Sequence, residues 1–269
     1  GSYYHTSFRN TQTYRNARSL TIRMEKEIVH IHQVVTRLPE LRFAEPVEWR
    51  ICEGEQWAVV GPNGAGKTLL ADILQRKFAF REGKVCYNKE GKVSDIIRSI
   101  AFKDIYSLAD CRNSYYQQRW HATESDDVPT VAETLSAYEG TENLKEVLHI
   151  FGIEDLLPKR LIYLSSGELR KFLIVRTLLS RPEILILDNP FIGLDAPSRD
   201  LLVDMLGQLS HLHGVQVILL LSNPADIPDM ITHVLPIAGK KCYPPMSREA
   251  FLADTALIQI LFPEENWMQ

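Results

Sequence analysis

The chain has few cysteines and no long apolar run. Its four cysteines, Cys52, Cys86, Cys111 and Cys242, are far apart and form no CxxC pair. The sequence therefore indicates neither a disulfide framework nor a zinc site, and it fits a reducing compartment. The longest apolar runs, such as VQVILLL at 215–221, have strand length and fall short of the roughly 18–20 residues that span a bilayer. Any membrane component of the system would belong to other subunits.

The chain also lacks a strong excess of charge. Its net charge of −4 gives no electrostatic reason to predict nucleic acid as a direct partner. A hydrophobic content of 45% and a charged content of 24% are typical of a globular protein, and no internal repeat or low-complexity tract is present. A length of 269 residues accommodates one large domain, or a main domain with an inserted lobe.

The first 23 residues differ in composition from the rest. They contain four arginines and no acidic residue, and they precede Met24. We predict that residues 1–23 form an N-terminal arm, a leader or vector-derived sequence. They contain no apolar segment of the kind found in secretory signals.

Alternating apolar residues predict strands at EIVHIHQVV, PVEWRI and QWAVVG, with the first two paired in an antiparallel sheet. His30 and His32 share one face of the first strand. Because the neighbouring sequence offers no third ligand, we interpret that face as solvated rather than metal-binding.

The remainder of the chain alternates helical and strand patterns. Helices are predicted at 67–79, 166–180 and 197–212, and continuously apolar strands at 183–188 and 215–222. Polar residues 105–160, with helical stretches at 130–138 and 143–152, are expected to form a separate lobe. This alternation predicts an α/β fold around a parallel sheet.

GPNGAGKT at 61–68 follows a predicted strand and opens a predicted helix. It fits the phosphate-binding pattern GxxxxGK[ST] at every position. The glycines let backbone N–H groups converge on phosphate oxygens, while the lysine reaches the β- and γ-phosphates and the threonine hydroxyl ligates Mg²⁺. The predicted nucleotide-binding residues are Gly61, Pro62, Asn63, Gly64, Ala65, Gly66, Lys67 and Thr68.

Asp188, at the end of RPEILILD, is the predicted second magnesium group. A strand-end aspartate alone is weak evidence, since aspartate often caps helices. Its position about 120 residues after a phosphate-binding loop makes the assignment strong.

LSSGE at 164–168 precedes the amphipathic segment ELRKFLIVRTLLSRP. Taken alone it is also consistent with a plain helix cap. Together with the loop, Asp188 and GLD at 193–195, it resembles the signature motif of ATP-binding cassette (ABC) proteins, commonly LSGGQ. Ser166 stands in place of the first glycine and Glu168 in place of the glutamine.

This resemblance covers about residues 27–245. It implies a P-loop NTPase (RecA-like) core, an antiparallel β subdomain and an inserted helical lobe at about 105–165 that carries the signature. Residues 24–245 would form the ABC ATPase domain, using ATP and Mg²⁺. Two such domains would stack head to tail, with the signature residues Ser165, Ser166, Gly167 and Glu168 and the interface residue Asp195 facing the partner's nucleotide.

Four segments are similar in sequence to the ModF-like, molybdenum-transport-associated tandem cassette proteins: QWAVVGPNGAGKT, YLSSGELRK, NPFIGLDAPSR and ADIPDMITHVL. Residues 246–269 are then a C-terminal tail or the start of a linker to a second cassette. The partner would be a second ABC ATPase domain, in a homodimer or a tandem protein. A membrane permease would hold the domain peripherally at the cytoplasmic face.

Two positions depart from the family pattern. Asn189 stands at the catalytic glutamate position, and an amide cannot accept a proton from attacking water. Asn223 stands where a histidine normally reaches the γ-phosphate, and it carries no charge. We predict a site that binds ATP and hydrolyses it slowly.

Two family positions have several candidates. The glutamine that contacts magnesium could be replaced by Asp104, or supplied by Gln117 or Gln118 on an extended loop. Phe43 is the candidate for stacking on adenine, although it is equally suited to the core.

The resemblance to ABC proteins allows three functions. The leading hypothesis is an ATP-driven coupling or regulatory subunit of an ABC system. The rival is a catalytically degenerate, ATP-dependent binding module. Cassettes of DNA repair or translation are disfavoured, since the chain has no coiled-coil insertion or basic linker.

Overall fold

The computed structural model describes residues 26–102, 128–212 and 214–263. The strands are β1 Glu27–Thr36, β2 Val47–Cys52, β3 Trp57–Val60, β4 Phe80–Tyr87, β5 Ile97–Ala101, β6 Ile184–Asp188, β7 Gln216–Leu221, β8 His233–Ala238, β9 Lys241–Cys242 and β10 Met246–Ser247. The helices are α1 Lys67–Leu74, α2 Val93–Ile96, α3 Val131–Thr134, α4 Glu142–Phe151, α5 Ser166–Leu179, α6 Ala196–Leu212, α7 Arg248–Ala253 and α8 Thr255–Leu261. Short 3-10 turns lie at 39–41, 136–138, 154–156, 161–163 and 224–226.

The larger sheet has the order β10-β8-β3-β7-β6-β5, with β9 paired to β8. Strands β8, β3, β7, β6 and β5 run parallel, while β9 and β10 are antiparallel to β8. Every residue of β3, β6 and β7 is buried. Continuous burial explains why these strands are apolar throughout rather than alternating, because both faces of the sheet are covered.

The smaller sheet is antiparallel and has the order β2-β1-β4, so the predicted pairing of the first two strands is confirmed. Its inner face, including Ile31 and Trp49, belongs to one core cluster with Leu70 and Leu74 of α1. The outer face differs from its prediction. His30 is only 5% exposed, so the interpretation of this face as solvated is wrong for that residue.

A second core cluster joins the helical lobe to the other face of the parallel sheet. Phe151 of α4 and Phe172 of α5 lie in it together with Leu187 of β6 and Leu219 of β7. The lobe helices begin at their sequence caps: Thr130 forms a capping box with Glu133. The predicted helix at 130–138 is divided into α3 and a 3-10 turn.

Residues 246–262, which the sequence suggested as a tail or linker, are folded against the domain. β10 pairs with β8, and Phe251, Leu257 and Leu261 are buried in the second core cluster. Fully burying a side chain such as Phe251 stabilises the fold by about 1.5–3 kcal/mol. Within the described ranges, no helix has the length and apolar character needed to cross a bilayer.

Candidate functional site

Three strand ends meet at one edge of the parallel sheet. β7 lies between β3 and β6, so the residues following these strands are neighbours. Gly61 N donates to Leu221 O at 3.2 Å, and Asn189 N donates to Leu220 O at 3.0 Å. This carboxyl edge, between neighbouring parallel strands, is where α/β proteins commonly bind ligands.

The loop from β3 to α1 is held tightly against the sheet. A Cβ atom at Gly61 would lie 2.0 Å from the carbonyl oxygen of Ile237, so only glycine fits there. Gly66 precedes α1 with a φ of 106°, a backbone conformation that favours glycine. The first N–H groups of α1 have no acceptor within the helix and are suited to binding an anion.

Lys67, the first residue of α1, is 7% exposed. Its Nζ donates to Gly61 O at 2.6 Å and to Pro62 O at 3.0 Å, so the loop folds around the ammonium group. Burial lowers the pKa of Lys67 to about 8, and the Asp188 carboxylate partly offsets that effect. The loop therefore presents a poorly hydrated cation, which favours a phosphate as its partner.

Thr68 and Asp188 meet across the sheet edge as the sequence predicted. Thr68 Oγ1 donates to Asp188 Oδ2 at 2.8 Å, and Asp188 is 7% exposed. A hydroxyl and a carboxylate are hard oxygen donors, and donors this close can share one Mg²⁺ ion. Together with the loop and Lys67, the pair fits a nucleotide with its magnesium ion.

Beside this pair lies a hollow of about 290 Å³ that is lined in part by amides. Asn63, Asn189 and Asn223 contribute to its wall, together with Ser222. Ser222 Oγ lies 2.9 Å from Asn63 Oδ1 and 3.4 Å from Asn189 Oδ1. The hollow thus begins immediately beyond Asp188 and contains hydrogen-bonding groups without a base at the Asn189 position.

Asn189 and Asn223 are constrained by their backbones. Asn189 has a φ of 52°, in the left-handed region where asparagine is better tolerated than longer residues. Asn223 Oδ1 accepts from Ala225 N at 2.9 Å and caps the turn at 224–226. Only the NH₂ group of Asn223 is left to donate toward a ligand.

The signature segment is a capping box. Ser165 precedes α5, its Oγ accepts from Glu168 N at 3.1 Å, and its N–H donates to Glu168 Oε1 at 2.9 Å. The hydrogen bond from the Ser165 backbone, assisted by Lys159, holds the pKa of Glu168 below its usual value against the opposing effect of burial. LSSGE therefore caps α5, and the cap fixes the exposed start of the helix.

Asp195 caps the next helix, accepting from Ser198 N at 2.8 Å. A hollow of about 200 Å³ lies between the two helix starts and is lined by Ser165, Gly167, Glu168 and Ser198. Ser166 is the first residue of α5. No residue of the phosphate-binding loop lines this hollow, so within the described residues these two groups of predicted site residues are not brought together.

Two further residues contact the loop. Lys240 N donates to Ala65 O at 2.8 Å, which ties the β8–β9 turn to the loop. Phe43 lies next to Gly66, its Cζ 3.4 Å from the position of a Cβ atom there, so the adenine candidate is adjacent to the loop. Neither position follows a sequence pattern that marks such a contact. Asp104, Gln117 and Gln118 lie outside the described residues.

Arg170 of α5, like Lys240, was not predicted from the sequence. It is 1% exposed and donates to Pro190 O at 3.4 Å and to Ile192 O. It thereby connects the helix that carries the signature to the segment that follows Asn189.

The geometry agrees with comparisons to known proteins. The sequence model of the ABC transporter family matches residues 44–192, more than half of the chain. The chain belongs to the ABC transporter family. Its P-loop NTPase fold, with an antiparallel subdomain and a helical region carrying the signature, is the fold that the sequence predicted.

Several curated ABC proteins are similar in sequence. An uncharacterized ABC transporter ATP-binding protein of Schizosaccharomyces pombe is 31% identical over 72% of this chain and 42% of its own length. The ABC transporter ATP-binding protein ModF of Escherichia coli is 29% identical over 88% of this chain and 48% of its own length, which confirms the predicted resemblance. The chain thus spans less than half the length of these two relatives.

Solved cassettes share the fold. The structure of cbiO1 from Clostridium perfringens, part of the ABC transporter complex cbiONQ, has a TM-score of 0.70 at 18% identity and covers 89% of this chain and 97% of its own. An ATP-binding cassette of an ABC transporter in its ADP conformation has a TM-score of 0.67 at 16% identity, covering 89% and 99%. At these identities the likeness concerns the fold alone.

Proposed function

We propose that this cassette binds Mg-ATP at the edge formed by β3, β7 and β6. Lys67 and the first N–H groups of α1 bind the phosphates, while Thr68 and Asp188 hold the magnesium ion. The bound ion supplies positive charge to the phosphate oxygens. The observation that carries this proposal is the 2.8 Å hydrogen bond between Thr68 and Asp188 beside the buried Lys67.

We infer that the functional unit is a head-to-tail pair of cassettes. The signature hollow contains no phosphate-loop residue, so one cassette does not surround a nucleotide with both groups. In a pair, Ser165 and Gly167 of one cassette would face the nucleotide held by the loop of the other. Asp195, exposed at the start of α6, would lie at the interface.

Hydrolysis at this site is proposed to be slow. The hollow beyond Asp188 has Asn189 where a base is required, and Asn223 contributes a neutral donor. The nearest replacement carboxylate in that wall, Asp226, is already paired with Arg199 at 3.0 Å. Loss of a general base costs about 10²–10⁴-fold in rate. ATP binding is retained, because the phosphate contacts do not involve these amides.

Helix α5, which begins at the signature segment, is positioned to move when nucleotide binds. Arg170 ties α5 to the backbone at Pro190 and Ile192, directly after Asn189. A displacement of that segment on ATP binding would therefore be transmitted to α5. On this basis we propose that ATP binding, with slow hydrolysis, drives or regulates transport through a membrane permease. The permease would hold the cassette peripherally at the inner membrane face.

A second candidate function is an ATP-dependent regulatory module within a longer protein. The curated relatives from Schizosaccharomyces pombe and Escherichia coli are more than twice as long as the segments they share with this chain. In such a longer protein, a second cassette would carry the carboxylate that position 189 lacks here. One of the two nucleotide sites formed between the cassettes would then be active.

Calorimetry and light scattering test the proposal together. We expect the wild-type chain to bind ATP, more tightly with Mg²⁺, and to double its mass when ATP is present. Thr68→Val should lose the gain from Mg²⁺ while binding metal-free ATP normally. Thr255→Val, which removes an exposed threonine of α8, serves as the matched control. Absence of ATP binding in the wild type would overturn the proposal, and binding without association would leave only the regulatory module.

A further inference from the structure

A second group of ligand-type side chains lies on the outer face of the antiparallel sheet. His30 and His32 of β1 and Glu48 of β2 each offer a donor atom, and the three atoms lie within 4.8 Å of one another. His30 Nε2 is 2.9 Å from Glu48 Oε1, and the two imidazole rings have centroids 3.4 Å apart. None of these residues takes part in the nucleotide site.

The strand register places the three side chains on one face, because His30 pairs with Arg50 and Glu48 lies two residues from Arg50 along β2. A β-bulge follows directly. Ile31 pairs with Trp49 and Val34 with Val47, so two residues of β1, His32 and Gln33, stand opposite the single residue Glu48. Gln33 adopts a φ of 45°, and its N–H donates to Glu48 Oε2 at 3.2 Å. The bulge therefore orients Glu48 toward the histidines with one carboxylate oxygen already fixed.

The surroundings of His30 resemble those of a metal ligand. Its Nε2 faces Glu48, while its Nδ1 lies 3.8 Å from Glu27 Oε2 on the opposite side of the ring. Metal-ligating histidines commonly have a carboxylate near their second nitrogen, which fixes the ring orientation and raises its basicity. His30 is also buried, so its ring has little freedom to turn away.

Two positive residues, Arg50 and Lys84, lie beside the three side chains. Arg50 pairs with Glu27 at 2.9 Å, and Lys84, opposite His32 on β4, is exposed. Burial raises the pKa of Glu48, but hydrogen bonds from His30 and Gln33 outweigh burial and leave it below its usual value.

We propose that His30, His32 and Glu48 form a binding site for a divalent transition-metal cation such as Zn²⁺. Two neutral imidazoles and a carboxylate are a recurrent zinc ligand set, which leaves a fourth position for water. His30 would ligate through Nε2 as a neutral imidazole that keeps its proton on Nδ1, the nitrogen facing Glu27, and Glu48 would supply a carboxylate oxygen. Because the ligands come from β1 and β2, bound metal would crosslink the two strands across the bulge.

Titration of the full-length chain with ZnCl₂, without nucleotide, tests the site. We expect His32→Ala to bind one Zn²⁺ fewer than the wild type, or to bind it more than about 100-fold more weakly. The matched control is His149→Ala. His149 is exposed, its Nδ1 lies 3.6 Å from Glu154 Oε1, and Glu154 is its only carboxylate partner among the residues that the structure describes. This control should bind Zn²⁺ as the wild type does.

Further variants keep the test decisive if His32→Ala does not fold. Glu48→Gln should lose the same equivalent, while Glu27→Gln should retain it with about tenfold weaker affinity. Zn²⁺ should raise the Tm of the wild type and not that of Glu48→Gln. Adding MgCl₂ together with ZnCl₂ should not change either result. Equal Zn²⁺ stoichiometry and affinity in the wild type, His32→Ala and Glu48→Gln would overturn the proposal.

Discussion

The two halves of the nucleotide site are built differently, although they begin at adjacent residues. On one side, Asp188 continues β6 and meets Thr68, and the buried Lys67 lies within the same loop. On the other side, Asn189 turns into the left-handed region and faces Ser222 and an amide-lined hollow. We call these the binding half and the hydrolysis half. The binding half has the groups that we propose for phosphate and magnesium, whereas the hydrolysis half has hydrogen-bonding amides and no carboxylate at position 189.

Nucleotide binding and nucleotide hydrolysis can therefore be separated within one strand end. Binding depends on a loop, a helix start and one carboxylate. In the proposed site, hydrolysis depends on the next residue along the chain, whose side chain is not among the groups proposed to contact the phosphates. Substitutions can accordingly alter one half at a time.

The strongest change that we expect is a gain in the hydrolysis half. Asn189→Glu combined with Asn223→His should raise the ATPase rate by about 10²–10⁴-fold, because it introduces a base and a cationic donor. The positive φ at residue 189 disfavours a longer side chain by about 1–2 kcal/mol, which should lower stability without removing activity.

Asn189→Gln is the matched control for the part of that gain that Asn189→Glu contributes by itself. It has the same length and the same backbone strain as Asn189→Glu but lacks the carboxylate. Its ATPase rate, measured by phosphate release, should equal that of the wild type. An equal gain in both variants would show that side-chain length rather than a base limits the rate.

A loss in the binding half comes next in size. Lys67→Ala should weaken ATP binding by roughly 3 kcal/mol, or about 10²-fold, because it removes the buried cation that faces the phosphates. Calorimetry measures the Kd directly. Lys77→Ala removes an exposed lysine that pairs with Asp72, and it should leave the Kd unchanged. Similar losses in both variants would reduce the Lys67 effect to general electrostatics.

A smaller effect, on stability, is expected where the phosphate-binding loop packs against β8. Gly61→Ala should destabilise the fold by about 1–3 kcal/mol, since its Cβ atom would overlap the Ile237 carbonyl oxygen. Gly207→Ala, within α6 and free of neighbours within 4 Å, should stabilise the fold by about 0.5–1 kcal/mol. Chemical denaturation measures both free energies of unfolding. A stabilising effect of Gly61→Ala, like that of the control, would contradict the close approach of the loop to β8.

The weakest effect concerns the signature cap. Ser165→Ala should cost about 1 kcal/mol of stability, because it removes the acceptor for Glu168 N. Ser166→Ala, one residue further on, provides the control and should cost much less.

The lowered pKa of Glu168 makes stability depend on pH. The contribution of Glu168 to stability is present above the unfolded pKa near 4.5 and is lost as pH falls through the lower folded pKa. Glu168→Gln should therefore reduce the acid dependence of unfolding, and an unchanged acid dependence would contradict this assignment.

Much of the binding half can be predicted from sequence because its pattern is local. The spacing of GPNGAGKT fixes the loop and the start of α1, and the apolar run before Asp188 fixes the strand end. The structure brings Thr68 and Asp188 within hydrogen-bonding distance, as expected from parallel strands with a shared edge.

Other features depend on tertiary contacts that no local pattern contains. Lys240 reaches the loop from a turn that lies far away in sequence, and Arg170 is a basic residue in a helix that otherwise reads as amphipathic. The hydrogen bond from Gln33 N to Glu48 depends on the bulge at Gln33, which shifts the strand register that alternation alone would give. The positive φ of Asn189 likewise corresponds to no local sequence pattern.

A single-turnover assay measures binding and hydrolysis in the same sample and so tests whether the two halves are separate. Wild-type chain and Asn189→Glu are each saturated with radiolabelled Mg-ATP, freed of excess nucleotide and sampled over time for bound ATP and ADP. We predict that both proteins retain nucleotide and that the wild type converts it at least about 100-fold more slowly. Conversion in the wild type within a few-fold of the Asn189→Glu rate would contradict the absence of a working base at Asn189.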